Sequence, residues 1–227
     1  MAKIKLVILD YDMTLVDSLL DFFDAINNAR KYFGYPPISF KEFIDSFIND
    51  TVKDIAIPRD VDEDFFWKIF RRVYETRYGY PVKGASYFLY MLRNYGSRIV
   101  VITGREVPEE KIWCELRRFN LHWSIDEVYT LYTLELLGGK EEYLFDKTWL
   151  IRYVINKYSV EPCEAVMLGD YWIDAICSRR AGVPFIGVAI PPCRKNLLTS
   201  KGVRYIVYNL YDALQVLKEI EMEIKCK

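Results

Sequence analysis

The chain opens with an almost continuous apolar segment. Residues 4–9 read IKLVIL, which is too short to cross a membrane and too uniformly apolar for a strand with one exposed face. The segment therefore predicts a central strand of a parallel sheet, covered on both faces. Further short apolar runs that predict strands lie at 98–102, 165–168, 185–189 and 205–207.

Apolar positions at helical spacing fill most of the chain between these strands. With their capping residues and their glycine or proline stops, they predict helices over 18–33, 39–47, 62–79, 84–95, 108–119, 147–155, through Asp174 to Gly182, and over 210–224. Residues 128–137 alternate in polarity, which predicts a strand or a hairpin. Alternating strands and helices indicate an α/β protein with a Rossmann-like three-layer core around a parallel sheet.

The segment between the first two predicted strands contains only helices and is rich in aromatic residues. An all-helical insertion in a β/α pattern predicts a second, smaller domain. We assign residues 17–82 to this helical domain and residues 1–16 and 83–227 to the core domain. Its aromatic side chains are expected to form the core of a helix bundle rather than a ligand-binding stack.

Composition narrows the classes of protein that this chain can represent. It has 227 residues, a hydrophobic content of 52% and a formal net charge of −1, which suit a globular protein without nucleic-acid partners. No apolar run reaches the ~18 residues of a membrane span, and the N-terminus carries no signal-peptide pattern. We expect a cytoplasmic monomer or homodimer.

His122 is the single histidine and no Cys-x-x-Cys pair occurs, which argues against a zinc site or a histidine-based triad.

Two carboxylates follow the first predicted strand. Side chains alternate along a strand, so Asp10 and Asp12 leave its carboxyl end on the same side. In open α/β sheets this end is where ligands bind. Two neighbouring carboxylates repel each other unless a cation lies between them, and Mg²⁺ takes oxygen ligands.

Two other predicted strands also end in polar residues. Thr103 and Gly104 follow the strand at 98–102, and Gly169 and Asp170 follow the one at 165–168. The carboxyl ends of parallel strands meet at one edge of a sheet. We therefore expect these residues to converge with the first pair of aspartates.

The order of these motifs resembles the haloacid dehalogenase-like hydrolase superfamily from Lys3 to about Gly187. Asp-x-Asp-x-Thr after a buried strand is similar to motif I of that family. The residues that carry the resemblance are Asp10, Asp12 and Thr14 for motif I, Thr103 for motif II, Lys147 for motif III, and Gly169, Asp170 and Asp174 for motif IV. Met13 departs from the pattern, because members of the family usually have glycine there. The helical insertion looks like the family's small mobile cap, placed between motifs I and II.

The resemblance implies a nucleophile, an acid–base group and a metal. Asp10 would attack phosphorus and form an aspartyl-phosphate, while Asp12 would protonate the leaving oxygen and then activate water. Mg²⁺ would be held by Asp10, the main-chain carbonyl of Asp12, and Asp170, with Asp174 supporting these ligands.

The resemblance also implies a set of residues that bind the phosphate or the substrate. This set consists of Thr14, Thr103, the backbone N–H of Gly104, and Lys147. Lys140 lies nearby in the sequence, but the helix that begins at Lys147 favours the latter. Arg105 is left with two interpretations, a phosphate contact or a solvated side chain.

Taken together, the resemblance implies a Mg²⁺-dependent phosphatase acting on a small phosphorylated metabolite. A phosphosugar mutase shares every core residue and is the alternative. A haloacid dehalogenase needs neither metal nor second carboxylate, so Asp12 and Asp170 argue against it. A phosphonate hydrolase uses a cap lysine in an apolar motif, which no lysine here shows. A non-catalytic binding module would be expected to lack one of the charged residues, and none is missing.

The substrate itself is not apparent from the sequence. Residues of the helical domain would select it. The polar break at Asn49, Asp50 and Lys53 is our candidate for this contribution.

Overall fold

The computed structural model describes residues 3–223. Its strands are β1 (Leu6–Leu9), β2 (Val16–Asp17), β3 (Tyr80–Pro81), β4 (Arg98–Ile102), β5 (Glu127–Tyr129), β6 (Ala165–Gly169), β7 (Phe185–Val188) and β8 (Tyr205–Val207). Its helices are α1 (Leu19–Tyr32), α2 (Phe40–Asn49), α3 (Val52–Ala56), α4 (Glu63–Val73), α5 (Ala85–Tyr95), α6 (Glu109–Arg118), α7 (Leu131–Leu136), α8 (Thr148–Tyr158), α9 (Trp172–Arg180), α10 (Lys195–Ser200) and α11 (Leu210–Glu223). The last residue predicted for the tail helix, Ile224, lies outside the described residues. Within 3–223, no helix combines the length and the apolar character that crossing a bilayer requires.

A parallel sheet of six strands forms the centre of the fold, in the order β5–β4–β1–β6–β7–β8. Strand β1 lies between β4 and β6, and Leu9 pairs with Val101 on one side and Leu168 on the other. The carboxyl ends of these three strands are therefore level with one another. This register brings the polar residues that follow each strand to one edge.

Helices cover both faces of the sheet, which confirms the three-layer α/β architecture. Val7 and Leu9 point to the side where α5, α6 and α11 pack, whereas Leu6 and Ile8 point to the side of α7, α8 and α9. All four side chains have 0% exposure. Burial on both faces explains why β1 is a continuous apolar run rather than an alternating one.

Residues 17–82, which we call the helical insert, contain α1 to α4. Their buried apolar side chains form a cluster in which Ile26, Phe66 and Phe70 are fully or almost fully buried, and Leu144 and Phe145 of the core pack against it. Helices α1 and α4 pack against each other.

The two ends of the helical insert form a short β-ribbon, so the prediction of helices alone is wrong at these ends. Strands β2 and β3 pair antiparallel, with Val16 opposite Pro81 and Asp17 opposite Tyr80. The outgoing and returning chain segments run side by side where they leave the core, and pairing satisfies their backbone groups.

Helix α4 ends at Val73, short of the predicted end near Gly79. Tyr74 has an extended backbone, and the N–H groups of Arg77 and Tyr78 donate to the buried Asp21 carboxylate at 2.6 and 2.8 Å. A side chain from α1 thus replaces the helical acceptors of this returning segment.

The strand or hairpin predicted for residues 128–137 is also wrong. Only Glu127–Tyr129 is a strand, and helix α7 follows at once. The Thr130 hydroxyl accepts from the N–H of Thr133 and caps the helix, and Leu131 and Leu134 are buried one turn apart. In so short a segment, apolar residues that are three positions apart are easily mistaken for the alternating polarity of a strand.

Candidate active site

The strand ends of β1, β4 and β6 form the floor of one cavity. Asp10, Gly104 and Asp170 contribute to its wall, as do Lys147 and Asp174, and its volume is about 330 Å³. The structure thus brings together residues that are up to 164 positions apart in the sequence, between positions 10 and 174. The opposite wall comes from the helical insert.

Three buried carboxylates lie close together on this floor. One oxygen each of Asp10, Asp170 and Asp174 lies within 4.8 Å of the others. Asp174 reaches the group because residue 169 is glycine. A Cβ atom at Gly169 would lie 2.6 Å from Asp174 Oδ2, which is closer than real Cβ contacts allow.

Lys147 is the positive partner of this cluster. Its Nζ donates to Asp10 Oδ1 at 2.7 Å and to Asp174 Oδ1 at 2.8 Å. Burial works against the charged amine, but the two carboxylates outweigh it and raise the pKa of Lys147 above the ordinary lysine range. Lys140, the other candidate, is exposed and lies outside the cavity wall.

Two buried cations act on these three carboxylates. Lys147 bonds to Asp10 and Asp174, whereas the charge of Arg194 opposes the rise in the pKa of Asp170 without forming an ion pair with it. Burial raises the pKa of Asp10 well above its usual value, and the charges of Asp174 and Asp170 add to this effect. Burial, together with the Asp174 carboxylate, likewise raises the pKa of Asp170 to about 7. The cluster therefore lacks positive charge, and its oxygen donors are of the kind that a hard divalent cation takes.

The side chain of Asp12 does not join this cluster. Its Oδ1 accepts from Ser18 Oγ at 2.8 Å and from Arg105 Nη2 at 2.5 Å, and its Oδ2 accepts from Arg105 Nε at 2.8 Å. Ser18, the first residue of the helix predicted over 18–33, occupies the N-cap position of α1. Its hydroxyl, however, makes no capping bond and serves Asp12 instead.

Arg105 is buried, so its interpretation as a solvated side chain is wrong. Only 2% of the residue is exposed. Besides Asp12, its guanidinium donates to both oxygens of Glu115 on α6, at 2.9 and 3.1 Å, and to the Thr76 hydroxyl at 2.6 Å. Its central carbon lies 4.3 Å from the centre of the Tyr74 ring. Arg105 thus connects the core to the returning end of the helical insert.

The structure separates the predicted phosphate-binding residues into two groups. Gly104 and Lys147 line the cavity, whereas Thr14 and Thr103 are buried and do not line it. The Thr103 hydroxyl accepts from the backbone N–H of Arg105 at 3.3 Å, and the buried Thr14 hydroxyl has no partner among the described residues.

Met13 occupies a left-handed backbone position, with a φ of 58°. Glycine is favoured in this region because a Cβ atom makes it costly, by roughly 1–2 kcal/mol. The Met13 side chain is nevertheless buried, and it packs with Phe43 and Phe47 of α2. The position that departs from the family pattern thus forms an apolar contact between motif I and the helical insert.

Aromatic side chains form much of the remaining cavity wall. They are Phe22, Phe47, Trp67, Phe70 and Tyr74 from the helical insert and Phe145, Tyr171 and Trp172 from the core. Most of the insert's aromatics also belong to its buried clusters, so they serve as both bundle core and cavity wall. Of the predicted polar break, Asp50 and Lys53 line the cavity, and Asn49 does not.

Asp50 also joins the helical insert to the core. It ends α2 in a left-handed conformation, and its Oδ2 accepts from Trp172 Nε1 at 2.7 Å.

Three side chains in the wall carry buried N–H groups without a hydrogen-bond partner among the described residues. These groups are Trp67 Nε1, Arg71 Nε, and Nε and Nη2 of Arg194. None of these three residues belongs to a motif that is recognisable in the sequence. A signal existed only for Arg194, because it follows the carboxyl end of a further parallel strand, β7.

A family model described as haloacid dehalogenase-like hydrolase matches residues 7–188. The chain is similar to a phosphoglycolate phosphatase from Chromobacterium violaceum, with 25% identity over 95% of this chain and 98% of that protein.

Solved structures share the whole fold. A protein described as a predicted phosphatase from Clostridium acetobutylicum matches with a TM-score of 0.73 and 21% identity, over 96% of this chain and 100% of that one. A protein described as a predicted phosphoglycolate phosphatase from Haemophilus somnus matches with a TM-score of 0.69 and 20% identity, over 95% and 99% of the two chains. At such identities the likeness establishes the fold alone.

Proposed function

Because the chain belongs to the haloacid dehalogenase-like hydrolases, we propose that it is a phosphatase that hydrolyses a small phosphorylated metabolite. The observation that carries this proposal is the buried Asp10 carboxylate, held by Lys147 beside Asp170 and Asp174 on the floor of one cavity. The similarity to a phosphoglycolate phosphatase supports phosphate esters as the substrate class.

Asp10 is the nucleophile in this proposal. It lies at the end of a rigid buried strand, and Lys147 fixes one of its oxygens. Attack on phosphorus forms an aspartyl-phosphate and expels the substrate oxygen, and water then cleaves the intermediate. Lys147 and the N–H of Gly104 stabilise the negative charge that develops on the phosphoryl oxygens.

Asp12 is the acid and base of the two steps. Three hydrogen bonds, two from Arg105 and one from Ser18, occupy its oxygens. Asp12 must therefore exchange at least one of these partners before it reaches the leaving oxygen or the attacking water. Both partners lie where the helical insert joins the core, so movement of the insert would assist this exchange.

The donor set fits Mg²⁺. The ion would be held by Asp10, the main-chain carbonyl of Asp12, and Asp170, with Asp174 orienting the site through Lys147. When bound, Mg²⁺ supplies the positive charge that these buried carboxylates lack and that the phosphate dianion also needs.

The helical insert is the cap of this site. It contributes one wall of the cavity and has its own buried apolar cluster, and the ribbon of β2 and β3 joins its two ends to the core. We assign residues 17–82 to the cap domain and residues 1–16 and 83–227 to the core domain. Closure of the cap excludes water from the phosphoryl group, and Asp50 and Lys53 face the substrate.

A panel of phosphomonoesters, including p-nitrophenyl phosphate and phosphoglycolate, tests the proposal. We expect the wild-type protein to release inorganic phosphate with Mg²⁺ and to lose activity with excess chelator, and Asp10→Asn to be inactive. Conversion of a phosphosugar into its isomer without phosphate release would identify the mutase instead. Chelator-resistant hydrolysis would refute the metal assignment, and activity of Asp10→Asn would refute the nucleophile.

A further inference from the structure

Arg194 is a buried cation in the cavity wall that forms no ion pair within residues 3–223, although its charge opposes the burial-driven rise in the pKa of Asp170. Only 3% of the residue is exposed, and it lies in the turn after β7. Its one hydrogen bond runs from Nη1 to the Phe47 carbonyl at 3.4 Å. Among the described residues, no carboxylate oxygen lies close enough to form an ion pair with it, and Nε and Nη2 have no partner.

The other buried arginines of the cavity wall differ from Arg194 in this respect. Arg71 donates to both oxygens of Glu141 at 2.8 and 3.0 Å, and Arg105 is bonded to Asp12 and Glu115. Arg194 instead lies against two rings, 4.2 Å from the centre of Phe47 and 5.6 Å from that of Tyr171. Such contacts compensate a desolvated charge much less than a carboxylate does.

Charge of this kind is rare in folded proteins, because burying an unpaired ion is costly. A buried donor without a partner therefore indicates a missing acceptor. Trp67 Nε1 and Arg71 Nε, both on α4, are further unsatisfied donors in the same wall. Since all these orphan groups are N–H donors, the missing partner is rich in acceptor oxygens. Asp170 acts on Arg194 only from beyond ion-pair distance, so the guanidinium favours a partner that is negatively charged.

We propose that Arg194 is a second anion subsite of the cavity, so that the substrate is a phosphomonoester with a further anionic group, a carboxylate or a second phosphate. This inference rests on the proposed phosphatase function. The phosphoryl group to be cleaved lies at Asp10 and Lys147, and the guanidinium receives the second group. Arginine suits this task because its planar fork of donors matches both kinds of oxyanion.

The route to the subsite involves the helical insert. With α2 docked, Nε and Nη2 of Arg194 have no exposed surface. The anion must therefore enter before α2 reaches this position, and the long bond to the Phe47 carbonyl gives way to stronger charge-assisted bonds. Binding of the second anion and docking of α2 against the core are therefore coupled through the Arg194 side chain.

Phosphonates that cannot be hydrolysed test the subsite without turnover. We would measure the Kd values of propylphosphonate, 3-phosphonopropionate and propane-1,3-bisphosphonate by calorimetry in the presence of Mg²⁺. We expect at least one of the two probes with an anionic group at each end to bind about 10- to 100-fold more tightly than propylphosphonate. Whether the carboxylate or the second phosphonate is preferred identifies the second group.

Substitutions at neighbouring cations supply the control. In Arg194→Gln the preference should fall to about one, and in Arg194→Lys it should be partly retained. Lys195→Gln removes the adjacent, exposed charge and should keep the wild-type ratio. Thermal melting checks that each variant is folded.

Equal affinity of the wild-type protein for all three probes would overturn the subsite, whatever the variants do. An undiminished preference in folded Arg194→Gln would also overturn it. Failure of the phosphatase proposal is distinguishable, because it shows as absence of phosphate release from any ester, whereas these titrations need no catalysis.

Discussion

At the scale of single residues, the candidate site depends on cations that are each shared between two carboxylates. Lys147 bridges Asp10 and Asp174, and Arg105 bridges Asp12 and Glu115. The carboxylates and Lys147 could be recognised from sequence, because each follows a strand or opens a helix in a known order. The pairing of Arg105 with Asp12 could not be recognised, because it depends on how the turn after β4 lies against the loop after β1.

Arg105→Met should destabilise the protein strongly. It leaves Asp12 and Glu115, both largely buried, without their shared cation, and removing one partner of a buried ion pair costs about 3–5 kcal/mol. Denaturant unfolding would measure the loss, with Arg117→Met as the control. Arg117 and its ion-pair partner Glu110 are both exposed, so this loss should cost far less. Similar losses in both variants would contradict the structural role of Arg105.

Asp170→Asn should stabilise the metal-free protein at high pH. The pKa of Asp170 is about 7 in the fold, well above the ordinary value of an unfolded aspartate, roughly 4. Between these values the folded state binds more protons than the unfolded state, so wild-type stability falls as the pH rises. In excess chelator, the variant should therefore melt several degrees higher than wild type near pH 8, and the gap should narrow near pH 5. A gap that does not depend on pH would contradict this assignment.

At the scale of elements, the junction of β6 and α9 positions the acidic cluster. Gly169 ends the strand, and Asp174 lies in the first turn of the helix. Strands and long helices were predictable because their apolar periodicity is local. Helix α7 was missed because it is too short to show a period, and the end of α4 was missed because Asp21, distant in sequence, binds the segment that follows.

Gly169→Ala should impair the site more than the fold. The added Cβ would lie 2.6 Å from Asp174 Oδ2 and would push this carboxylate away from Lys147. We expect weaker Mg²⁺ binding, seen as a higher Mg²⁺ concentration for half-maximal activity, and a lower kcat. Gly138→Ala is a comparison at a glycine where the Cβ meets nothing within 4 Å, although its positive φ of 78° makes it costly to the backbone. A normal metal requirement in folded Gly169→Ala would refute the steric role of this glycine.

At the scale of the whole molecule, the cavity exists only where the helical insert meets the core. The α/β class and the helical insertion were predictable from the order of elements. The parallel sheet with helices on both faces confirms the predicted fold class. The lining of the cavity was not predictable, because residues that are far apart in the sequence, on α1, α2 and α4, lie together in one wall. Which aromatic side chains face a ligand depends on this docking and leaves no local trace in sequence.

Lys53→Ala should change substrate preference. Lys53 lines the cavity from the helical insert, whereas Lys41 is exposed and lies outside the wall. We expect Lys53→Ala to lower kcat/KM for the best metabolite several-fold more than for p-nitrophenyl phosphate, and Lys41→Ala to change neither. Parallel losses on both substrates would argue against a role of Lys53 in specificity.

The central claim is that Asp10 carries the phosphoryl group while Asp12 moves the protons. Rapid-quench kinetics of Asp12→Asn with p-nitrophenyl phosphate tests it most directly, together with mass spectrometry of the peptide that contains Asp10. The acidic phenol leaves without protonation, whereas hydrolysis of the intermediate should lose the ~10²–10⁴-fold contribution of general base catalysis. We expect a burst of phenol and phosphate bound to Asp10. A burst in Asp10→Asn, or phosphate on any other residue, would contradict the assignment.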